Sequence, residues 1–199
     1  MMAAEPLTRE QILAAAKEAL RRYGPAKTTV VDVAQSLGVS HGAVYRHFPT
    51  KAALRAAVVG HGLEVVAVRL RIMTEETGPA VDRLHRWLLA LIEFKHGYAR
   101  EDAELFETYA MIDKDGPDVV AEHTSTLIAQ LNRILADGVE AGEFQASALG
   151  GGSAIWDATT RFHHPVHRSE WLDPRIGDAF EAVWGLILRG LTQDTQDQR

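Results

Sequence analysis

Apolar positions recur at helical spacing along nearly the whole chain, and no stretch alternates as a half-buried strand does. The pattern predicts an all-α protein. Thr8 precedes a first helix with Ile12, Ala16, Leu20 and Tyr23 on its apolar face, stopped by Gly24-Pro25. Thr28 or Thr29 can cap a short second helix that turns Val30, Val33, Ala34 and Leu37 inward. Gly38-Val39-Ser40 forms a tight break, and Ser40 caps a third short helix with Val44 facing in and Phe48 near its end. Pro49-Thr50 opens a long fourth helix, from about Lys51 to Met73. The domain boundary is expected inside it, which gives domains 1–57 and 58–199.

After Gly78-Pro79, Leu84, Trp87, Leu88, Leu91 and Ile92 mark one helix. Leu105, Phe106, Tyr109 and Ile112 mark the next, ended by Asp115-Gly116-Pro117. A long helix follows with Val120, Leu127, Leu131, Ile134 and Leu135 on one side, stopped by Gly142-Glu143-Phe144. Ser147 is expected to cap an eighth helix that carries Ile155, Trp156 and Phe162 and ends before Pro165. Pro174 starts the last, with Phe180, Val183, Trp184, Ile187, Leu188 and Leu191 in one broad stripe, and a polar tail follows Thr192.

Composition narrows the function. There is no cysteine, so disulfides, thiolate catalysis and cysteine-based metal clusters are excluded. No P-loop, HExxH or dinucleotide fingerprint occurs, and Gly150-Gly151-Gly152 lies in a predicted helix, not after a strand. An enzyme is therefore not expected, nor a cofactor. Met1 to Pro6 has no basic and apolar signal pattern, and no run approaches the ~20 apolar residues of a membrane span. A cytoplasmic protein with no membrane partner is expected. The net charge of -6 hides an asymmetry: residues 1–57 hold eight Lys/Arg against four Asp/Glu, and residues 58–199 hold thirteen against twenty-three. A basic head on an acidic body suits a protein of which only the head meets a polyanion.

The informative stretch is Thr28 to Leu54, TTVVDVAQSLGVSHGAVYRHFPTKAAL. It reads as two short helices joined by a glycine turn, with Val33, Ala34 and Leu37 against Val44. The second of the pair has His41, Gly42, Ala43, Tyr45 and Arg46 on its outer face: small first, then polar or cationic, as a major-groove helix requires. The Thr-Thr pair, Ala34, Gly38-Val39-Ser40, and above all Tyr45-Arg46-His47-Phe48 with Lys51 and Leu54 resemble the DNA-binding segment of the TetR family of bacterial transcription regulators. The resemblance is close over Thr8 to Leu54 and elsewhere extends only to the number, length and order of helices. It implies an N-terminal three-helix helix-turn-helix domain, joined by the long fourth helix to a C-terminal helical ligand-binding and dimerisation domain. It also implies phosphate contacts from Thr28, Thr29, Ser40, Tyr45, His47 and Lys51, and groove-facing positions at His41, Gly42, Ala43 and Arg46. Val44 and Phe48 match core positions.

The last two long helices of each subunit would form a four-helix bundle in a homodimer, through Gly151, Ile155, Phe180, Trp184, Ile187 and Leu191. Pairing also follows from the DNA side, since one short recognition helix reads few bases. The alternative is that both stripes pack within one subunit. Trp87, Phe106, Tyr109, Trp156 and Phe162 are candidates for an effector pocket, with Phe94 and Met111 nearby in the pattern; ordinary core is the competing role for each. For His163, His164 and His167, helix capping or pocket polarity is expected in preference to a metal. The function expected is a sequence-specific regulator, a repressor released from double-stranded operator DNA by a small molecule of unnamed chemistry. A regulator without effector, an activator, a DNA-packaging protein and a helical enzyme are the alternatives.

Overall fold

The computed structural model describes residues 7–115 and 117–192, without the side chains of 110–117. The Met111 and Ile112 side chains, the Gly116 break and the polar tail lie outside the described residues. Among the described residues the elements are all helical: α1 (Arg9–Lys27), α2 (Val30–Ser36), α3 (His41–Tyr45), α4 (Lys51–Glu75), α5 (Ala80–Glu101), α6 (Ala103–Asp115), α7 (Pro117–Glu140), α8 (Gly152–His163) and α9 (Ile176–Leu191). Short 3₁₀ segments cover Ala146–Ala148 and Pro165–Leu172.

The chain forms two compact units. The first comprises residues up to Glu64 together with Tyr98–Glu122, and the second comprises Val65–Gly97 and the residues from His123 onward. Residues 58–64 and 98–122, expected with the C-terminal domain, thus belong to the N-terminal unit. The reason is burial. Val58 of α4 and Leu105 of α6 complete the core built by Ile12, Leu20, Val33, Val44 and Phe48. Asp102 accepts a 2.5 Å bond from the Arg21 Nε–H, and the Glu104 carboxylate occupies the space where a side chain on Gly24 would project.

Thr8 starts α1 with a capping box closed by Gln11. Gly24 breaks the helical path at φ 75°, ψ 166°, and one more turn, through Lys27, follows the kink. Tyr23 departs from its expected inward place. It is exposed, with the Arg22 guanidinium 5.4 Å from its ring centre. It stands one residue before the kink, and the next two residues, Gly24 and Pro25, are buried in its place.

The second unit packs α5, α7, α8 and α9 around Leu84, Trp87, Leu91, Leu127, Leu131 and Ile134. The Trp87 indole N–H donates to Gln130 Oε1 at 3.0 Å, and the Gln130 amide donates in turn to the Ala67 carbonyl at 2.8 Å. A tryptophan edge and an amide stay dry at low cost only when both are satisfied, which these bonds achieve. α7 ends in a left-handed glycine: Gly142 N–H donates to the Val139 carbonyl and Glu143 N–H to the Gly138 carbonyl, the two bonds of a Schellman turn.

Four expectations here need correction. Ser147 does not cap the eighth helix; it sits in a 3₁₀ turn, and α8 starts only at Gly152. Gly150 is a left-handed turn residue, φ 77°, not part of a helix. The small residues ahead of Ile155 serve the subunit's own packing. Gly152 N–H donates to Asn132 Oδ1 at 2.9 Å, and a Cβ there would meet that oxygen at 2.6 Å. The last helix begins at Ile176, two residues after Pro174, because Asp173 first accepts the Arg175 N–H at 2.9 Å.

Gly138 gives a test of this packing. Glycine inside a helix is normally about 1 kcal/mol worse than alanine. At Gly138 a Cβ would stand 2.2 Å from the Phe144 ring and 2.9 Å from the Ala80 Cβ. Gly138→Ala should therefore destabilise, by about 1–3 kcal/mol, and a thermal melt that rises instead would refute the close approach.

Candidate nucleic-acid interface

The helix-turn-helix is assembled by local bonds between near neighbours in sequence. Thr29, not Thr28, caps α2: its hydroxyl accepts the Asp32 N–H, and the Asp32 carboxylate accepts the Thr29 N–H at 2.8 Å and hydroxyl at 2.6 Å. Those bonds to Thr29 hold the Asp32 carboxyl below its ordinary pKa, with Lys51 adding a smaller effect. At the other end of α2, Gly38 adopts φ 66°; its N–H donates to the Gln35 carbonyl, and the Val39 N–H donates to the Ala34 carbonyl at 3.0 Å. This second Schellman turn needs a residue that tolerates the left-handed region, hence glycine. Ser40 then caps α3 by accepting the Ala43 N–H at 3.3 Å.

Val44 anchors α3, since it is fully buried, with Phe48 behind it under the Arg9 guanidinium at 4.3 Å. With Val44 inward, the helix must turn His41, Gly42, Tyr45 and Arg46 outward; all four are exposed, and Ala43 and His47 are half-buried. The His41 ring meets Tyr45 edge-on at 6.3 Å between centres. Arg46 is the C-cap, on the turn that leaves α3. Among the described residues its guanidinium has no protein partner.

Thr28 departs from its expected role. It is buried, and its hydroxyl donates to the Gly24 carbonyl at 2.8 Å with the Ala19 carbonyl 3.1 Å away. That hydroxyl mends the kink in α1 and does not face outward. Lys51 keeps two roles open: one N–H donates to the Ala26 carbonyl at 3.1 Å, while the ammonium retains two further donors. Partial burial, and secondarily Arg55, lower its pKa.

The five residues expected to line an effector pocket are divided between the units. Phe106 and Tyr109 belong to the first; Trp87, Trp156 and Phe162 belong to the second. Trp87 and Phe162 are fully buried core. An open cavity of about 450 Å³ in the second unit is lined instead by Arg161, Asp173, Arg175, Ile176, Asp178 and Ala179. The three clustered histidines separate. His163 is buried against Trp156, 4.3 Å between ring centres. His164 Nδ1 accepts the Val166 N–H, and His167 Nδ1 lies 2.7 Å from Glu170 Oε1. Among the described residues no group of three His, Asp or Glu side chains is arranged to hold a metal ion.

Among the buried polar residues of the second unit that sequence reasoning passed over are Lys95 on α5 and His123 on α7. Their signal was available. Lys95 continues the Leu84, Leu88, Leu91 stripe, and His123 continues the Leu127, Leu131 stripe, so both stand in apolar register. Burial pushes Lys95 down to about 8. Burial, then the charge of Lys95, push His123 and His163 each down to about 3.

A helix-turn-helix with an exposed aromatic and cationic face, followed by a helical unit with its own core, defines a DNA-binding regulator. Residues 12–58 match the family model for bacterial regulatory proteins of the tetR family, and residues 80–184 match the tetracyclin repressor-like C-terminal domain. The chain therefore belongs to the TetR family of transcriptional regulators. It is 46% identical over 52 residues to the HTH-type transcriptional regulator TtgR of Pseudomonas putida, an overlap of 26% of this chain and 25% of that protein. The chain spans about a quarter to a half of the length of the curated relatives it matches. Its fold is similar to that of a TetR-family regulator from Pectobacterium atrosepticum, with TM-score 0.72, 21% identity and 94% of each chain covered. It is also similar to SmeT, the repressor of the Stenotrophomonas maltophilia multidrug efflux pump SmeDEF, with TM-score 0.64, 21% identity and 95% and 92% covered.

Two outcomes follow. Thr28→Val should lower stability by about 1–2 kcal/mol, because it strips a donor from buried carbonyls, and should leave the salt dependence of binding to random duplex DNA unchanged. A reduced salt slope would return Thr28 to the phosphate set. Acid should also unfold the second unit early. His123 and His163 have folded pKa values below the ordinary histidine value of about 6.5, so between pH 6.5 and 3 the unfolded chain binds more protons. Stability should fall as pH drops through that window, and His163→Phe should flatten the fall in pH-dependent melts.

Proposed function

We propose that the chain is a homodimeric repressor that binds a two-fold operator through α3 and is released by a small-molecule effector held in its C-terminal part. The observation that carries the DNA reading is the outward set on α3: Tyr45 and Arg46 are exposed beside the small Gly42 and Ala43, on a helix pinned from behind by Val44. Small residues let the helix enter the groove. Arg46 can then donate to guanine O6 and N7, worth about 1–3 kcal/mol against a wrong base. Thr29, Ser40, Tyr45, His47 and Lys51 take phosphate, which fixes register without choosing sequence. The repressor role is supported by the match of residues 80–184 to the repressor-like C-terminal family and by the likeness to SmeT, and release by an effector by the likeness to a regulator FadR of Bacillus subtilis solved in complex with stearoyl-CoA.

The dimer reading changes in detail from the one the pattern suggested. Ile155, Phe180, Trp184 and Leu191 are buried in the subunit's own core, Ile187 packs against that core, and Gly151 is backed by Leu135. Those residues are not a free interface. The outward row of α9 is Ala182, Leu186 and Gly190, and that of α8 is Ala154 and Ala158. Leu186 is 64% exposed on this row of small residues, which lets two helix pairs approach closely. The bundle is proposed to form through it.

Binding-site selection on the purified protein tests the DNA reading. A two-fold motif is expected, and Arg46→Ala should lose preference at one position in each half-site. Sequence-independent coating of DNA would instead indicate a packaging protein. Leu186→Glu should yield a folded monomer by sedimentation with weakened operator binding, since a carboxylate at the centre of an apolar contact costs several kcal/mol. A Leu186→Glu dimer would move the interface elsewhere.

A further inference from the structure

Arg9, the first residue of α1, lies against the turn that leaves α3. Its Cζ stands 4.3 Å from the centre of the Phe48 ring, and its Nη1–H donates to the His47 carbonyl at 3.5 Å. Arg9 and His47 are 38 positions apart, so the fold brings this cation to the turn that carries Arg46 and His47. The packing uses the side chain but not its charge. Phe48 is buried, whereas Arg9 is exposed. Among the described residues Arg9 has no ion pair, and its one hydrogen bond is long. The neighbouring Glu10 carboxylate takes its hydrogen bonds from its own N–H and from Thr8, not from Arg9. A neutral side chain of similar length would cover the Phe48 ring as well.

We propose that Arg9 is a phosphate-binding residue of the DNA interface, acting beside His47. This rests on the reading of α3 as the helix that meets DNA. A guanidinium has five N–H donors on one plane, and Arg9 spends one of them within the chain. The ring beneath it and the carbonyl beside it hold that plane before DNA arrives, so little side-chain freedom is lost on binding. α1 thereby adds a cation to a surface otherwise built from α2, α3 and the start of α4. Such a contact strengthens binding to any duplex and fixes register without choosing sequence.

The test is titration of two labelled duplexes, the selected operator and a random sequence, across a salt series, with wild type, Arg9→Met and Arg9→Lys. Each phosphate contact contributes about 0.9 to the slope of log K against log salt. Arg9→Met should therefore lower the slope on both duplexes by about one unit for each bound subunit. That amounts to roughly eight-fold weaker binding per subunit at about 0.1 M salt, closing toward wild type near about 1 M. Arg9→Lys should keep the slope and lose part of the affinity, because an ammonium lacks the planar fork. Arg9→Met should melt within a few degrees of wild type, since a thioether still packs on the ring, and binding-site selection should return the wild-type motif. An unchanged slope in Arg9→Met, whether or not its melting temperature falls, makes Arg9 a cover for Phe48 alone and overturns the proposal. A selected motif that loses preference at one position places the guanidinium on a base and overturns the phosphate assignment. The two readings separate in the wild type. A wild-type chain that binds neither duplex removes the reading of α3 and Arg9 with it, whereas tight wild-type binding with an unchanged Arg9→Met slope removes Arg9 alone.

Discussion

What the N-terminal unit presents to solvent depends on one corner. Gly38, in the left-handed region, turns the chain from α2 into α3 while its own N–H and that of Val39 close the end of α2. The corner sets the direction of α3, and Val44, fully buried, sets its rotation. Once direction and rotation are fixed, the outward position of Tyr45 and Arg46 follows without a side-chain hydrogen bond or ion pair among the described residues to hold either. This suits a recognition surface, because side chains held by neighbours are less able to leave them for a partner. The bonds that hold the element are backbone bonds and caps; the groups that face outward keep their donors.

The caps were legible because their partners lie three residues apart. Thr8 with Gln11, Thr29 with Asp32 and Ser40 with the Ala43 N–H can be read from spacing alone. The choice between Thr28 and Thr29 could not be read, since the kink at Gly24 leaves a carbonyl that only the three-dimensional path places against the Thr28 hydroxyl. The same limit governs α8. A run of three glycines reads as a weak helix start, but Asn132, twenty residues earlier, decides that Gly152 is where it begins.

Most of the residues expected at a dimer surface are core of the subunit, for a physical reason. Periodicity finds the residues that leave water, and most of these leave it inside the subunit. Phe180, Trp184 and Leu191 carry the strongest signal on α9 and are core. The opposite row, Ala182, Leu186 and Gly190, carries almost none, because small residues have little area to bury until a partner helix comes near. A periodic signal therefore ranks a helix face by its monomer burial, and a face built for close helix approach ranks last. The assignment of residues 98–122 to the first unit was hidden in the same way: Leu105 announces burial but not against which core.

Polar residues in apolar register carry the complementary information. Gln130 stands among the leucines of α7 and is satisfied at both ends of its amide, by Trp87 and by Ala67, so its position is explained within the subunit. His123 stands one turn before Leu127 on the same helix, and its Nε2 has no partner. The two residues differ in no property that sequence displays; they differ in whether the fold answers them. Across both units nearly every buried donor that is described has an acceptor, and the exceptions are few enough to be read individually. In the first unit the unanswered groups of α3 face water. In the second the unanswered imidazole of His123 is buried. A fold that closes nearly all its polar contacts can leave such a group open only because its apolar core supplies enough stability to offset the loss.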